Sequence, residues 1–144
     1  MRKLLTATLL CVTLVSFGQA KNNLDKDKDR INNVCYKIMQ QFVAGKLDEA
    51  METLKQNTVM PPNSIDTLKV TVADQFSNVF PQFGEMLSFE FVKEKKVKNF
   101  ISKRYYVIRF TKFFLKADFT LYNNGTDWTI TAFHYNEEAD DLLE

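Results

Sequence analysis

The chain has 144 residues, 19 of them basic and 18 acidic, for a net charge of +1, and 45% of it is hydrophobic. That size and apolar content suit one domain with a core of its own. Near-neutral charge argues against a nucleic-acid binder with a basic footprint, and two cysteines argue against a disulfide-built scaffold.

Met1-Arg2-Lys3, an apolar run from Leu4 to Phe17, and Gly18-Gln19-Ala20 have the form of a secretory signal peptide. Cleavage is expected after Ala20, leaving an exported protein, periplasmic or extracellular, with a single domain over residues 21–144. The run is shorter than the roughly 20 residues a spanning helix needs, so no stable membrane span is expected after cleavage. Cys11 lies mid-run behind Leu10, not behind a small residue, which argues against lipid attachment. Loss of Arg2 and Lys3 leaves 17 basic residues against 18 acidic, a net charge of −1. Cys35 is then the one cysteine left, so no internal disulfide can form.

Residues 21–30 are charged and show no apolar period beyond Leu24. From Ile31 the residues Val34, Cys35, Ile38, Met39, Phe42 and Val43 recur at helical spacing, and Gly45 marks the end of that helix. A short second helix has Leu47, Ala50, Met51 and Leu54 inward and Asp48 and Glu49 in its first turn. After Pro61-Pro62 a third helix, capped by Asn63 or Ser64, buries Ile65, Leu68, Val72, Phe76, Val79 and Phe80, and Pro81 and Gly84 stop it.

Beyond residue 85 the period falls to two, and four strands are predicted. Leu87, Phe89 and Phe91 alternate with Ser88, Glu90 and Val92. Tyr106, Ile108 and Phe110 alternate with Tyr105, Val107 and Arg109. Leu115, Ala117, Phe119 and Leu121 alternate with Lys116, Asp118, Thr120 and Tyr122. Asn123-Asn124-Gly125 is a hairpin turn, because Asn-Gly accepts positive φ. Trp128, Ile130, Ala132 and His134 then alternate with Thr129, Thr131, Phe133 and Tyr135. The acidic segment from Glu137 to Glu144 reads as a frayed end. Helices followed by hairpin-linked strands predict an α+β domain: three N-terminal helices, then a curved four-stranded antiparallel sheet.

Two segments resemble a known family. Phe42-Val43-Ala44-Gly45-Lys46-Leu47-Asp48-Glu49-Ala50 is similar to the end of the long first helix of NTF2-like (cystatin-like α+β) domains. Leu121 to Phe133, with Trp128 soon after the Asn-Asn-Gly turn, resembles their closing hairpin. Small secreted bacterial domains of undefined role are the kin this suggests. The resemblance, over most of residues 28–136, implies a sheet wrapped around the first helix as a cone with an open mouth. Such folds serve isomerases, dehydratases, ligand binders and dimerising proteins alike, so the fold does not choose a function.

Few residues carry catalytic or metal chemistry. Asp25, Asp27 and Asp29 alternate as in a calcium loop, but Arg30 and Tyr36 stand where that loop needs Gly and Glu. The alternation therefore reads as a solvated helix start. His134 is the sole histidine, and with Cys35 on an apolar face no zinc set converges. Asp118 and Asp74 both read as outward and make poor general bases. No catalytic residue, metal or cofactor is assigned. Lys93, Lys95, Lys96, Lys98, Lys103 and Arg104 cluster around the first hairpin with Glu94 among them, as an anion contact or as charges that protect a sheet edge.

Of the aromatic residues, 13 Phe, 5 Tyr and one Trp, most fall at inward positions and read as core. Tyr36, Tyr106, Phe110, Phe119, Trp128 and His134 are expected to line a pocket for a small apolar or amphipathic molecule. The leading expectation is thus an exported, non-catalytic binding domain. A homodimer or partner-binding protein using an outer sheet face of Tyr105, Val107, Phe133 and Tyr135 is the alternative, and an isomerase- or hydrolase-type enzyme using His134 is the third.

Overall fold

The computed structural model describes the backbone of residues 14–144 and the side chains from Ala20 onward. Of the expected leader, residues 1–13 lie outside the described residues and 14–20 form the first turns of helix α1. The elements are α1 (Leu14–Val43), α2 (Leu47–Lys55), α3 (Pro62–Asn78) and a 3-10 turn (Phe80–Phe83). Strands β1 (Met86–Val97), β2 (Ile101–Phe110), β3 (Phe114–Asn123) and β4 (Trp128–Asn136) follow, then a one-turn helix α4 (Asp140–Leu143). Among the described residues no helix is long and apolar enough to cross a membrane.

Helix α1 buries Ile31, Cys35, Ile38, Met39 and Phe42 as one stripe. It ends in a Schellman motif: Gly45, at φ +76°, donates to the Phe42 carbonyl and Lys46 donates to that of Gln41. The helix extends well before Ile31, where hydrophobic spacing predicts none. Residues 21–30 hold their place through polar contacts of Asp27, Lys28 and Arg30, which an apolar period cannot reveal. Helix α3 starts earlier than expected too, with Pro61 at the cap and Pro62 in the first turn, a position that needs no N–H. It gives way at Val79 to the 3-10 turn that buries Phe80.

The sheet is fully antiparallel, in the order β1-β2-β3-β4, curved and unclosed. Its inner face presents Tyr106, Ile108, Phe110, Leu115, Ala117, Phe119 and Leu121 to the helices, as their alternation predicts. Strand β1 breaks register at Leu87 and Val92, and both side chains are exposed.

A third bulge corrects the expected faces of β4. Ile130 pairs with Leu121 and Ala132 with Thr120, so Thr131 is an extra residue that reverses the alternation beyond it. Phe133 and Tyr135 therefore turn into the core, and His134 turns to the outer face. The acidic C-terminal segment also differs from its frayed reading, since α4 folds over the outer face and Asp141 bonds Lys116 at 2.6 Å.

Candidate functional site

The structure does not bring the six expected pocket residues together. Tyr106, Phe119, Phe110 and Trp128 are buried core, with the Tyr106 and Phe119 rings edge-on at 5.8 Å. Tyr36 is 52% exposed and packs on Phe89 at the rim of α1. His134 lies on the opposite face of the sheet. Of the expected interface residues, Tyr105 and Val107 do lie on the outer face, whereas Phe133 and Tyr135 do not.

An open cleft of about 300 Å³ lies where α3 and the 3-10 turn meet the ends of β3 and β4. Val79, Phe80, Phe83 and Leu115 give it an apolar floor. Gln75 and Tyr135 meet above that floor, the Tyr135 hydroxyl donating to Gln75 Oε1 at 2.5 Å. Burial raises the Tyr135 pKa above its ordinary value, so the hydroxyl stays a donor. Glu137 and Glu138 stand on the rim. Pro81 and Gly84, flanking Phe83, signal the turn that shapes this cleft, but Tyr135 enters it only because of the bulge at Thr131.

At the other end of the concave face, a polar cluster joins α1 to the first hairpin. The Lys28 ammonium bonds Asn32, Glu94 and Ser102, and Ser102 also donates to Glu94. Arg104 approaches the second Glu94 oxygen at 3.4 Å and Lys96 lies 3.9 Å from it. Burial alone would raise Glu94, but the hydrogen bonds from Lys28 and Ser102 and the charges of Lys28 and Arg104 hold its carboxyl below the ordinary value. Lys28 is lowered, first by burial and then by Arg104 and Lys96, with Glu94 opposing. One carboxylate among three cations keeps the acid low, whereas for the lysine burial comes first and the neighbouring cations add to it. The Lys28 ammonium also lies 4.9 Å from the Trp128 ring centre, and the Arg104 guanidinium 4.3 Å from that of Phe91. The lysine cluster read from the sequence is thus divided: Glu94 and Arg104 turn inward, Lys93, Lys95 and Lys103 outward.

The outer face is organised in rows. Lys93, Tyr105, Asp118 and His134 are consecutive cross-strand partners, as are Lys95, Lys103, Thr120 and Ala132. Asp118 is 2% exposed, and its Oδ1 lacks a well-aligned hydrogen bond although Lys103 Nζ is 3.3 Å away and His134 Nδ1 3.6 Å. Lys116 is 1% exposed under Asp141.

Cys35 is fully buried, and burial pushes its thiol up to about 12, against any redox or nucleophilic use. The chain matches no protein-family model, no curated protein and no solved structure.

Proposed function

We propose that this is an exported, non-catalytic binding domain of NTF2-like type whose ligand is a small amphipathic molecule held in the cleft at the mouth of the sheet. The observation that carries this reading is the pairing of an apolar floor (Phe80, Phe83, Leu115) with a polar pair (Gln75, Tyr135) in about 300 Å³ of open space. That volume is at the small end of ligand sites, and the mixture of apolar walls with a few fixed polar tips is their usual make-up. Glu137 and Glu138 on the rim favour a positively charged head over a negative one. The leader at residues 1–20 supports export, and a mature N-terminus at Lys21 is its test.

Displacement of a fluorescent apolar probe by decylamine, decanol and decanoate tests the cleft. The expected order is decylamine, then decanol, then decanoate. Phe83→Asp, at a half-buried wall position, should abolish displacement while circular dichroism is unchanged. If none of the three displaces the probe, or if Phe83→Asp binds as well as the parent, the reading fails.

A catalytic reading centred on His134 draws on the buried Asp118 carboxylate beside the imidazole, an arrangement that can orient a general base. The cleft lies across the sheet from it. The dimer reading retains Tyr105 and Val107 as its outer-face residues, and Tyr105 is itself 4% exposed. Neither alternative has the combined apolar and polar lining of the cleft.

A further inference from the structure

The outer face of the sheet carries Lys93, Lys95, Lys103, Arg109 and Lys116 against two carboxylates, Glu90 and Asp118. Glu90 is taken up by Arg109 at 3.2 Å and Asp118 by Lys103. Of the remaining cations, Lys116 and Lys95 are met by the chain's own acidic segment. Asp141 bonds Lys116 at 2.6 Å, and Glu144 lies 3.7 Å from Lys95. These two acids are three residues apart, the spacing of one helical face. They reach across from β3 to β1, from the row of Val107 and Lys116 to that of Lys95 and Lys103.

The cover is slight. Asp141 is 44% exposed and Glu144 74%, and Leu143 of the same turn points to solvent. A single turn of helix without a buried apolar face has little stability of its own. Lys116, by contrast, has its whole side chain buried, a state that a lysine holds only while paired. Charge complementarity, with Ala139 and Leu142 half-buried, seats this segment on the face.

We propose that the outer sheet face is a receptor for an acidic helical peptide segment with carboxylates at i and i+3, and that residues 137–144 occupy it as a tethered stand-in. This surface lies on the other side of the sheet from the cleft, and the stand-in touches the cleft only through Glu137 and Glu138 at its rim. A tether this short gives the segment an effective concentration of about millimolar, so a partner must be abundant or bind better than the stand-in. The partner's carboxylates replace Asp141 at Lys116 and Glu144 at Lys95, with Lys103 beside them.

The test uses the full chain and a fluorescein-labelled peptide with the sequence of residues 137–144. Asp141→Asn with Glu144→Gln keeps shape and removes the two charges. Fluorescence anisotropy should show the doubly substituted chain binding the peptide roughly ten-fold or more tighter than the parent, the gain expected when a tethered competitor is released. Added salt should weaken the complex, and Lys116→Met in the same background should remove it. Lys116→Met keeps an unbranched apolar stem, and its circular dichroism is the control for folding. Equal binding by parent and substituted chain overturns the proposal. So does equal binding of a peptide whose two acids are amides. Tighter binding of an oligodeoxynucleotide or of phosphatidylserine vesicles than of the peptide overturns the assignment to an acidic polypeptide.

Discussion

Asp27 and Trp128 stand 101 residues apart and are joined by a hydrogen bond, the Trp128 backbone N–H donating to Asp27 Oδ2 at 2.5 Å. Arg30 closes the link, binding Asp27 through Nε and the Trp128 carbonyl through Nη2 at 3.0 Å. These hydrogen bonds, with Lys28 over the Trp128 ring, fix this part of α1 to the start of β4. Asp27→Ala should cost about 2 kcal/mol in urea denaturation, the usual value for a charge-assisted bond whose partner is left unpaired. Burial works to raise the Asp27 pKa, but its bonds to Arg30 and Trp128 hold it below 3.8. A depressed carboxylate stabilises above its unfolded value, so this contribution should be intact above pH 3.8 and lost as pH falls through the lower folded value.

Among the described residues Glu94 is the sole carboxylate in direct contact with Lys28, Ser102 and Arg104. Glu94→Gln should therefore destabilise by about 3 kcal/mol, because it leaves part-buried cations without their counter-charge. The parent should lose stability as pH falls below 4.5 and through the depressed Glu94 value, whereas the variant should start lower and lack that component. Thermal melts of both proteins between neutral pH and pH 3 check the sign.

Cys35 should not react with an aromatic disulfide reagent in the native state at pH 8, because its thiol, raised to about 12, is neutral and enclosed. One thiol should appear on adding denaturant to the leaderless chain. Fast reaction without denaturant would show that the core around Ile31, Ile38 and Met39 opens.

Gly84 has φ +85°, and a Cβ placed there would lie 1.8 Å from Thr111 Oγ1. Gly84→Ala should cost about 3 kcal/mol, combining backbone strain with displacement of Thr111, which receives the Glu85 N–H. Gly45→Ala, at φ +76° with open space around it, should cost about 1 kcal/mol. Guanidinium midpoints of the two variants should therefore separate strain from collision.

The bulge at Thr131 shows why part of the site escapes a sequence reading. Continued alternation would bury Ala132 and His134 and expose Phe133 and Tyr135. Shifting phase instead places Phe133 4.8 Å from Phe119 and Tyr135 6.5 Å from Phe42, ring centre to ring centre. Burying an aromatic side chain contributes about 2–3 kcal/mol, so the gain from two exceeds the roughly 1 kcal/mol of one disturbed ladder bond. Residues on both faces of this strand are apolar or neutral, and the local pattern carries no mark of the switch.

The order of helices and strands, the Schellman end at Gly45, the buried stripe from Ile31 to Phe42 and the inner faces of β2 and β3 were all determined by the sequence itself. They follow from local spacing and turn chemistry, which act between near neighbours. Only the tertiary structure decided that Asp27 and Lys28 anchor α1, that Tyr135 enters the cleft while His134 leaves the core, and that Asp141 covers Lys116. Those outcomes depend on polar partners 25 to 101 residues away and on competition for one core, and a period along the chain records neither.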